Sequence, residues 1–338
     1  MKALFYPQFE RLEVAERPMP RVGEDEALLR VAACGICGSE LEAFRKKSPR
    51  RTPPLIMGHE FCGIVDDVGR NVSRDLIGRR FVSNSIISCG SCSLCQRGRA
   101  HLCHHRQVFG MQRNGAFAEF VNVPANCLID WPQSLPAEQA CLAEPLANGV
   151  HIYKLVEHLE PKTVLVIGAG PIGLMCQQVF QVLGGCEVMV SDLNPTRLDV
   201  ARRLRAKLTI DGRTSDVVQE VMRQTENIGV DLVIDAVGAA ITKRQSISTA
   251  SSGGAAVWIG LHENTMTFDS YDITLPERQI LGTYGASLDD LKQAVELMRQ
   301  QRIDSSWTQL FPMDNSVEAF QRMLQAKEGD IKAVIVPG

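Results

Sequence analysis

Four cysteines stand at Cys89, Cys92, Cys95 and Cys103, so four of the chain's eleven fall within fifteen residues. Zinc takes such a donor set: four soft thiolates at tetrahedral corners, each about 2.3 Å from the ion. Gly90, Ser91, Ser93 and Gly98 lie between them and let the backbone turn tightly enough to wrap one metal. An odd cysteine count without an export signal argues against a disulfide framework. The expectation is a closed structural zinc site with four protein ligands. It does no chemistry and holds a loop that has little apolar content.

A second pattern, Gly168-Ala169-Gly170-Pro171-Ile172-Gly173, follows an apolar run over 163–167 and opens a helical pattern over 172–183. A glycine fingerprint alone is weak evidence, but strand before and helix after are the context a dinucleotide site requires. Gly168 allows the tight turn, Gly170 the approach of a pyrophosphate, and Gly173 close helix–strand packing. The start of the helix, at Pro171 and Ile172, then faces the phosphate charge. Asp192 comes nineteen residues beyond Gly173, where a carboxylate accepts ribose hydroxyls and repels a 2′-phosphate, so NAD is expected over NADP. Arg197 works against that preference, since a nearby guanidinium tolerates the extra phosphate.

The elements that must position these residues fall into two textures. Residues 1 to about 140 hold short β-branched runs broken by Gly and Pro, which predicts many short strands in a partly open barrel. Around 137–150 the pattern turns helical, a hinge into the second texture. From Thr163 onward apolar strands (163–167, 187–192, 231–235, 255–260, 279–283) alternate with amphipathic helices such as 172–183 and 196–204. That alternation implies an α/β unit, a doubly wound parallel sheet covered on both faces. A helix over 288–300 and a strand over 332–336 look like a return to the first domain.

Bulk properties narrow the function classes. The chain is 45% hydrophobic and 22% charged with a formal net charge of −3, so nothing draws it to nucleic acid or anionic membrane. Its first seven residues lack the apolar core of an export signal, and its longest nearly apolar stretch, 164–176, is too short to span a bilayer. A cytoplasmic protein with a small-molecule substrate is expected.

Gly35-Ile36-Cys37-Gly38-Ser39, then Gly58-His59-Glu60 with Gly63, Gly69 and Val72, the cysteine loop and the glycine fingerprint occur in one order. In that order and spacing the chain resembles the zinc-containing medium-chain alcohol dehydrogenases, essentially end to end. The resemblance implies a GroES-like, β-rich catalytic domain over 1–147 and 287–338, with a Rossmann NAD-binding domain inserted over 148–286. Ala143-Glu144-Pro145-Leu146-Ala147 is similar to the polyol (sorbitol-like) and threonine dehydrogenase branches. By that resemblance Cys37 and His59 bind a catalytic zinc, with Glu60 and Glu144 as further ligands, one of which yields to water or substrate. Two zinc ions per chain follow. The implied reaction is oxidation of a secondary alcohol, with hydride passed to the nicotinamide and Ser39 relaying the alcohol proton outward.

The chain departs from the family pattern after Ser39, with Glu40 in place of Asp and Glu42 in place of a His, so the relay beyond Ser39 is not assigned. Cys34 is read as a decoy beside Cys37. Phe44 and Phe117 stand either in the substrate pocket or in the core. Five basic residues in seven, from Arg45 to Arg51, suggest an anionic substrate such as a sugar-alcohol phosphate or sugar acid, against the plainer reading of a solvated loop. Other readings are a threonine or amino-alcohol dehydrogenase, a non-catalytic NAD-binding protein, and a zinc-free quinone reductase. The last two leave Cys37, His59 and Glu144 without a purpose. The Rossmann edge around Trp258, Met266 and Phe268 suits pairing with a second copy, in a homodimer or homotetramer.

Overall fold

A computed structural model describes residues 1–325 and 329–338. The chain divides into two compact units, Met1–Ala147 with Ala286–Gly338, and Asn148–Gly285.

In the first unit the short runs become a seven-stranded sheet, a three-stranded sheet and a two-stranded ribbon. The strand Glu26–Gly35 lies at the centre of the large sheet. It pairs antiparallel with Glu60–Val68, with Phe120–Pro124 and with the returning strand Lys332–Val336. The register sets Gly35 opposite both Glu60 and Val334, so three segments distant in sequence meet at one point. Beneath it lies a core that includes Leu4, Tyr6, Phe61, Phe109, Phe117 and Phe320, all shielded from solvent. Burial of each large apolar side chain contributes about 1.5–3 kcal/mol, so this core makes the sheet a rigid support for the polar residues on its edge.

The helical segment expected over 137–150 is two helices, Ala137–Ala140 and Ala143–Val156. Pro145 explains the break. It has no N–H to donate and its ring clashes with the carbonyl four residues back, so it is tolerated only in a first turn. The break puts Glu144 at a helix start, where a carboxylate is electrostatically favoured.

The second unit holds a six-stranded, wholly parallel sheet. Its order is Leu208–Asp211, Glu187–Asp192, Thr163–Ile167, Val230–Asp235, Ala250–Trp258, Gln279–Gly282. Counted along the unit this is 3-2-1-4-5-6, the doubly wound dinucleotide-binding order, with its reversal between Thr163–Ile167 and Val230–Asp235. The first two expected strands match residue for residue. The strand Leu208–Asp211, too short to show a period in sequence, and the helix Val217–Gln224, which buries Val217 and Val221 one turn apart, are additions. Ala250–Trp258 begins five residues before the expected start, because Ser251-Ser252-Gly253-Gly254 reads as a turn yet follows the sheet through a register shift.

The outer strand Gln279–Gly282 is an open edge, with Phe268, Tyr271 and Leu275 exposed nearby in sequence. Trp258 is turned inward, its indole N–H donating to Ser246 Oγ at 2.9 Å. No helix among the described residues is long and apolar enough to cross a membrane.

Candidate active site and metal centres

The helix Gly38–Arg45 starts at Cys37, so its first turn carries Cys37, Ser39 and Glu40 together. Ligand atoms of Cys37, His59 and Glu60 lie within 4.8 Å of one another. Glu40, completely buried, ties the two segments. One carboxylate oxygen accepts the Cys37 amide at 3.0 Å; the other accepts the Gly58 amide at 2.7 Å and meets His59 Nδ1 at 2.9 Å. With Nδ1 engaged, Nε2 is the ring nitrogen left for a metal, the arrangement by which a carboxylate orients a metal-binding imidazole. Burial alone would push the Glu40 carboxyl up, but the adjoining His59 and Arg51 hold it below the ordinary carboxylate value. Thiolate, imidazole and carboxylate so gathered fit a zinc ion that keeps an open corner.

Glu60 is held in turn by Lys332, whose ammonium pairs with its carboxylate and donates to the Ile36 carbonyl at 2.8 Å. Burial pulls Lys332 toward losing its proton, while Glu60 beside it holds it above the ordinary lysine value. A Cβ on Gly35 would overlap this pair, so glycine is the residue the close approach allows. Breaking a buried ion pair strands the remaining charge. Lys332→Met is expected to destabilise the protein by about 3–5 kcal/mol in urea denaturation. A loss under about 1 kcal/mol would mean that Glu60 finds another partner.

Glu144 lies outside the 4.8 Å group and accepts a hydrogen bond from Ser85 Oγ at 2.6 Å. Burial pushes its carboxyl up, partly offset by His59, with Glu60 adding to the rise. Ser39 Oγ donates to Cys37 Sγ at 3.3 Å. Cys34 is enclosed in the core, its thiol pushed well up by burial, and belongs to no group of candidate ligands.

Two readings that the sequence left open are narrowed. Phe44 packs against Tyr6 and Phe320, at ring-centroid distances of 5.6 and 5.3 Å, and Phe117 is wholly buried, so both belong to the core. The basic run does not present five free charges. Lys46 pairs with Glu42, Lys47 pairs with Glu10, Arg45 donates to the Leu324 carbonyl, and Arg51 is buried. Of the five only Arg50 remains an exposed cation without a protein partner of its own among the described residues.

Cys89, Cys92, Cys95 and Cys103 converge with sulphur–sulphur distances of 3.4, 3.5, 3.8 and 3.9 Å. A regular tetrahedron with about 2.3 Å bonds has edges of about 3.8 Å, so the cluster already has the size of a zinc site. Backbone amides of Ser91 and Cys92 lower the Cys89 thiol to about 5, ready for a cation.

In the second unit Gly168 turns with φ +98°, and a Cβ on Gly173 would overlap the Gly168 carbonyl. Above Gly170 a Cβ would meet nothing within 4 Å, leaving a face open to a pyrophosphate at the start of the helix Pro171–Gly184. Asp192 accepts the Ala169 amide at 2.6 Å and the Asn194 amide at 2.7 Å, so its carboxylate stands against the glycine turn. Arg197 lies in the first turn of the next helix, Pro195–Arg203, its amide bonded to Asn194 Oδ1 at 3.3 Å and its Nε enclosed without a hydrogen-bond partner among the described residues.

Residues 23–133 match the alcohol dehydrogenase GroES-like domain and residues 171–300 the zinc-binding dehydrogenase family. D-arabitol-phosphate dehydrogenase of Enterococcus avium is 32% identical over 97% of this chain and 95% of its own. The chain belongs to the zinc-dependent medium-chain alcohol dehydrogenases. This dehydrogenase is therefore an oxidoreductase acting on the CH–OH group. It is also 31% identical to L-threonine 3-dehydrogenase of Chelativorans sp. strain BNC1, over 98% of both chains. A zinc-binding dehydrogenase of Sinorhizobium meliloti 1021, solved with NADP bound, superposes with a TM-score of 0.92 at 31% identity, covering 99% of each chain.

Ser85 and Lys332 are the site residues that sequence reasoning passed over, while Glu40 was noted only as a departure from the family pattern and Arg51 only as part of the basic run. Lys332 carried a signal, a lone charge in the apolar run 331–336; Ser85 carried none.

Proposed function

We propose that this dehydrogenase oxidises a secondary alcohol of a polyol or polyol phosphate to the ketone, with NAD as hydride acceptor and two zinc ions per chain. The observation that carries the reading is the convergence of Cys37, His59 and Glu60 within 4.8 Å, oriented by a buried Glu40. When bound, zinc supplies a Lewis acid that eases loss of the alcohol proton, and the dinucleotide supplies the acceptor for the hydride. Cys37 and His59 would hold that ion. Glu60 is restrained by Lys332, which leaves Glu144, raised toward its neutral form, as the carboxylate that yields more easily to substrate. Ser39 relays the alcohol proton, accepting it while passing its own hydroxyl proton to water at its exposed face. Glu42 is engaged with Lys46, so an onward path runs from Ser39 to solvent rather than through Glu42.

The similarity to D-arabitol-phosphate dehydrogenase supports the polyol reading; the similarity to L-threonine 3-dehydrogenase supports an amino alcohol as the second. A panel of polyols, polyol phosphates, sugar acids and threonine, read by NADH absorbance, tests this. Turnover confined to threonine would replace the first reading with the second.

Asp192 against the glycine turn supports NAD over NADP. Asp192→Ser is expected to lower the ratio of kcat/KM for NAD to that for NADP by about tenfold or more. An unchanged ratio would put the discrimination elsewhere. The open edge Gln279–Gly282 with exposed Phe268, Tyr271 and Leu275 supports a homodimer or homotetramer, which light scattering reads directly.

A further inference from the structure

Arg51 stands eight residues before His59, in a run that sequence alone reads as solvated. Its side chain instead is 4% exposed, and its fork makes three hydrogen bonds. Nε donates to the Gly110 carbonyl at 3.0 Å, Nη1 to the Ser39 carbonyl at 2.9 Å, and Nη2 to Ser39 Oγ at 3.2 Å. Ser39 itself is exposed, so an open hydroxyl rests on an enclosed guanidinium. Taking a cation out of water costs several kcal/mol, a cost that an apolar side chain filling the same space would not incur. Part of the compensation is Glu40, whose buried carboxylate feels the Arg51 charge.

We propose that Arg51 is the positioning residue for the Ser39 hydroxyl, an inference that rests on the assignment of Ser39 to the alcohol proton in the reading above. A hydroxyl has one proton and two acceptor positions. With Arg51 Nη2 occupying one acceptor position, the other remains for the substrate proton; the hydroxyl's own proton, which points to Cys37 Sγ in the resting site, is released to water at the exposed face as the substrate proton arrives. Arginine cannot itself relay, because it does not release or take a proton in the working pH range. Its planar fork fixes direction, holding the carbonyl and the hydroxyl of one residue at once, while the Gly110 carbonyl anchors the fork from another loop. Lysine, a point charge on a flexible stem, cannot reproduce this.

Arg51→Met is expected to lower kcat on the order of 10–100-fold, with KM for the alcohol moving less than about threefold and both metals retained. S39A and the S39A/R51M pair complete a double-mutant cycle. If Arg51 acts through Ser39, the pair is no slower than S39A alone. A crystal structure of R51M is expected to show Ser39 Oγ rotated out of reach of Cys37 Sγ, a readout independent of turnover. R51M with kcat within about twofold of the parent, or losses that multiply in the pair, overturns the inference. Should R51M fail to fold, R51K carries the same cycle, and full activity in R51K overturns it as well. Full activity in S39A removes both the assignment of Ser39 and this inference; a slow S39A with a fast R51M removes this inference alone.

Discussion

Replacing Cys37 with serine is expected to lower kcat by about 10³-fold or more, and metal analysis to find one zinc per chain where the parent has two. A serine hydroxyl is not deprotonated near neutral pH and offers no soft charge, so His59 and Glu60 would be left to hold the ion. Glu60 is already committed to Lys332, and His59 to Glu40 through its other nitrogen. The thermal midpoint should move little, because Cys37 is only half-buried at a helix start and Glu40 still accepts the amide there. Unimpaired turnover in C37S would remove the metal site from the mechanism.

The second large effect is on stability. Cys103→Ser is expected to lose the other zinc and to destabilise the protein by more than about 4 kcal/mol, with a lowered thermal midpoint. Cys103 is the buried member of the four-sulphur cluster and accepts amide bonds from Cys89 at 3.4 Å and His105 at 3.3 Å. The loop it closes buries few apolar side chains, so little else opposes its chain entropy. Turnover per molecule that remains folded should stay within about threefold of the parent, since this metal does no chemistry. The two variants thus separate the two ions: C37S loses rate and keeps stability, C103S the reverse. A C103S protein with an unchanged midpoint would show that the loop holds itself.

The cysteine loop and the glycine turn were legible because a few bonded residues limit where their atoms can go. Three-residue spacings bring sulphurs within reach of one ion whatever the rest of the chain does, and a glycine run between a strand and a helix has few alternative conformations. Alternation of strands and helices likewise announced the parallel sheet, since its period is local. Short elements escaped, as at Leu208–Asp211, where four residues carry no readable period.

What tertiary structure alone decided is how the proposed catalytic residues are held. Lys332 reaches Glu60 across 272 positions of sequence because two antiparallel pairings bring their strands to Gly35. Glu40 binds both the Cys37 and the His59 segments, Ser85 meets Glu144, and Arg51 lies under Ser39 rather than in solvent. Phe44 and Phe117 turn into the core. Each depends on strand register or on which face of an element is covered, quantities set by the packing of distant segments; local spacing names ligands, and long-range packing orients them.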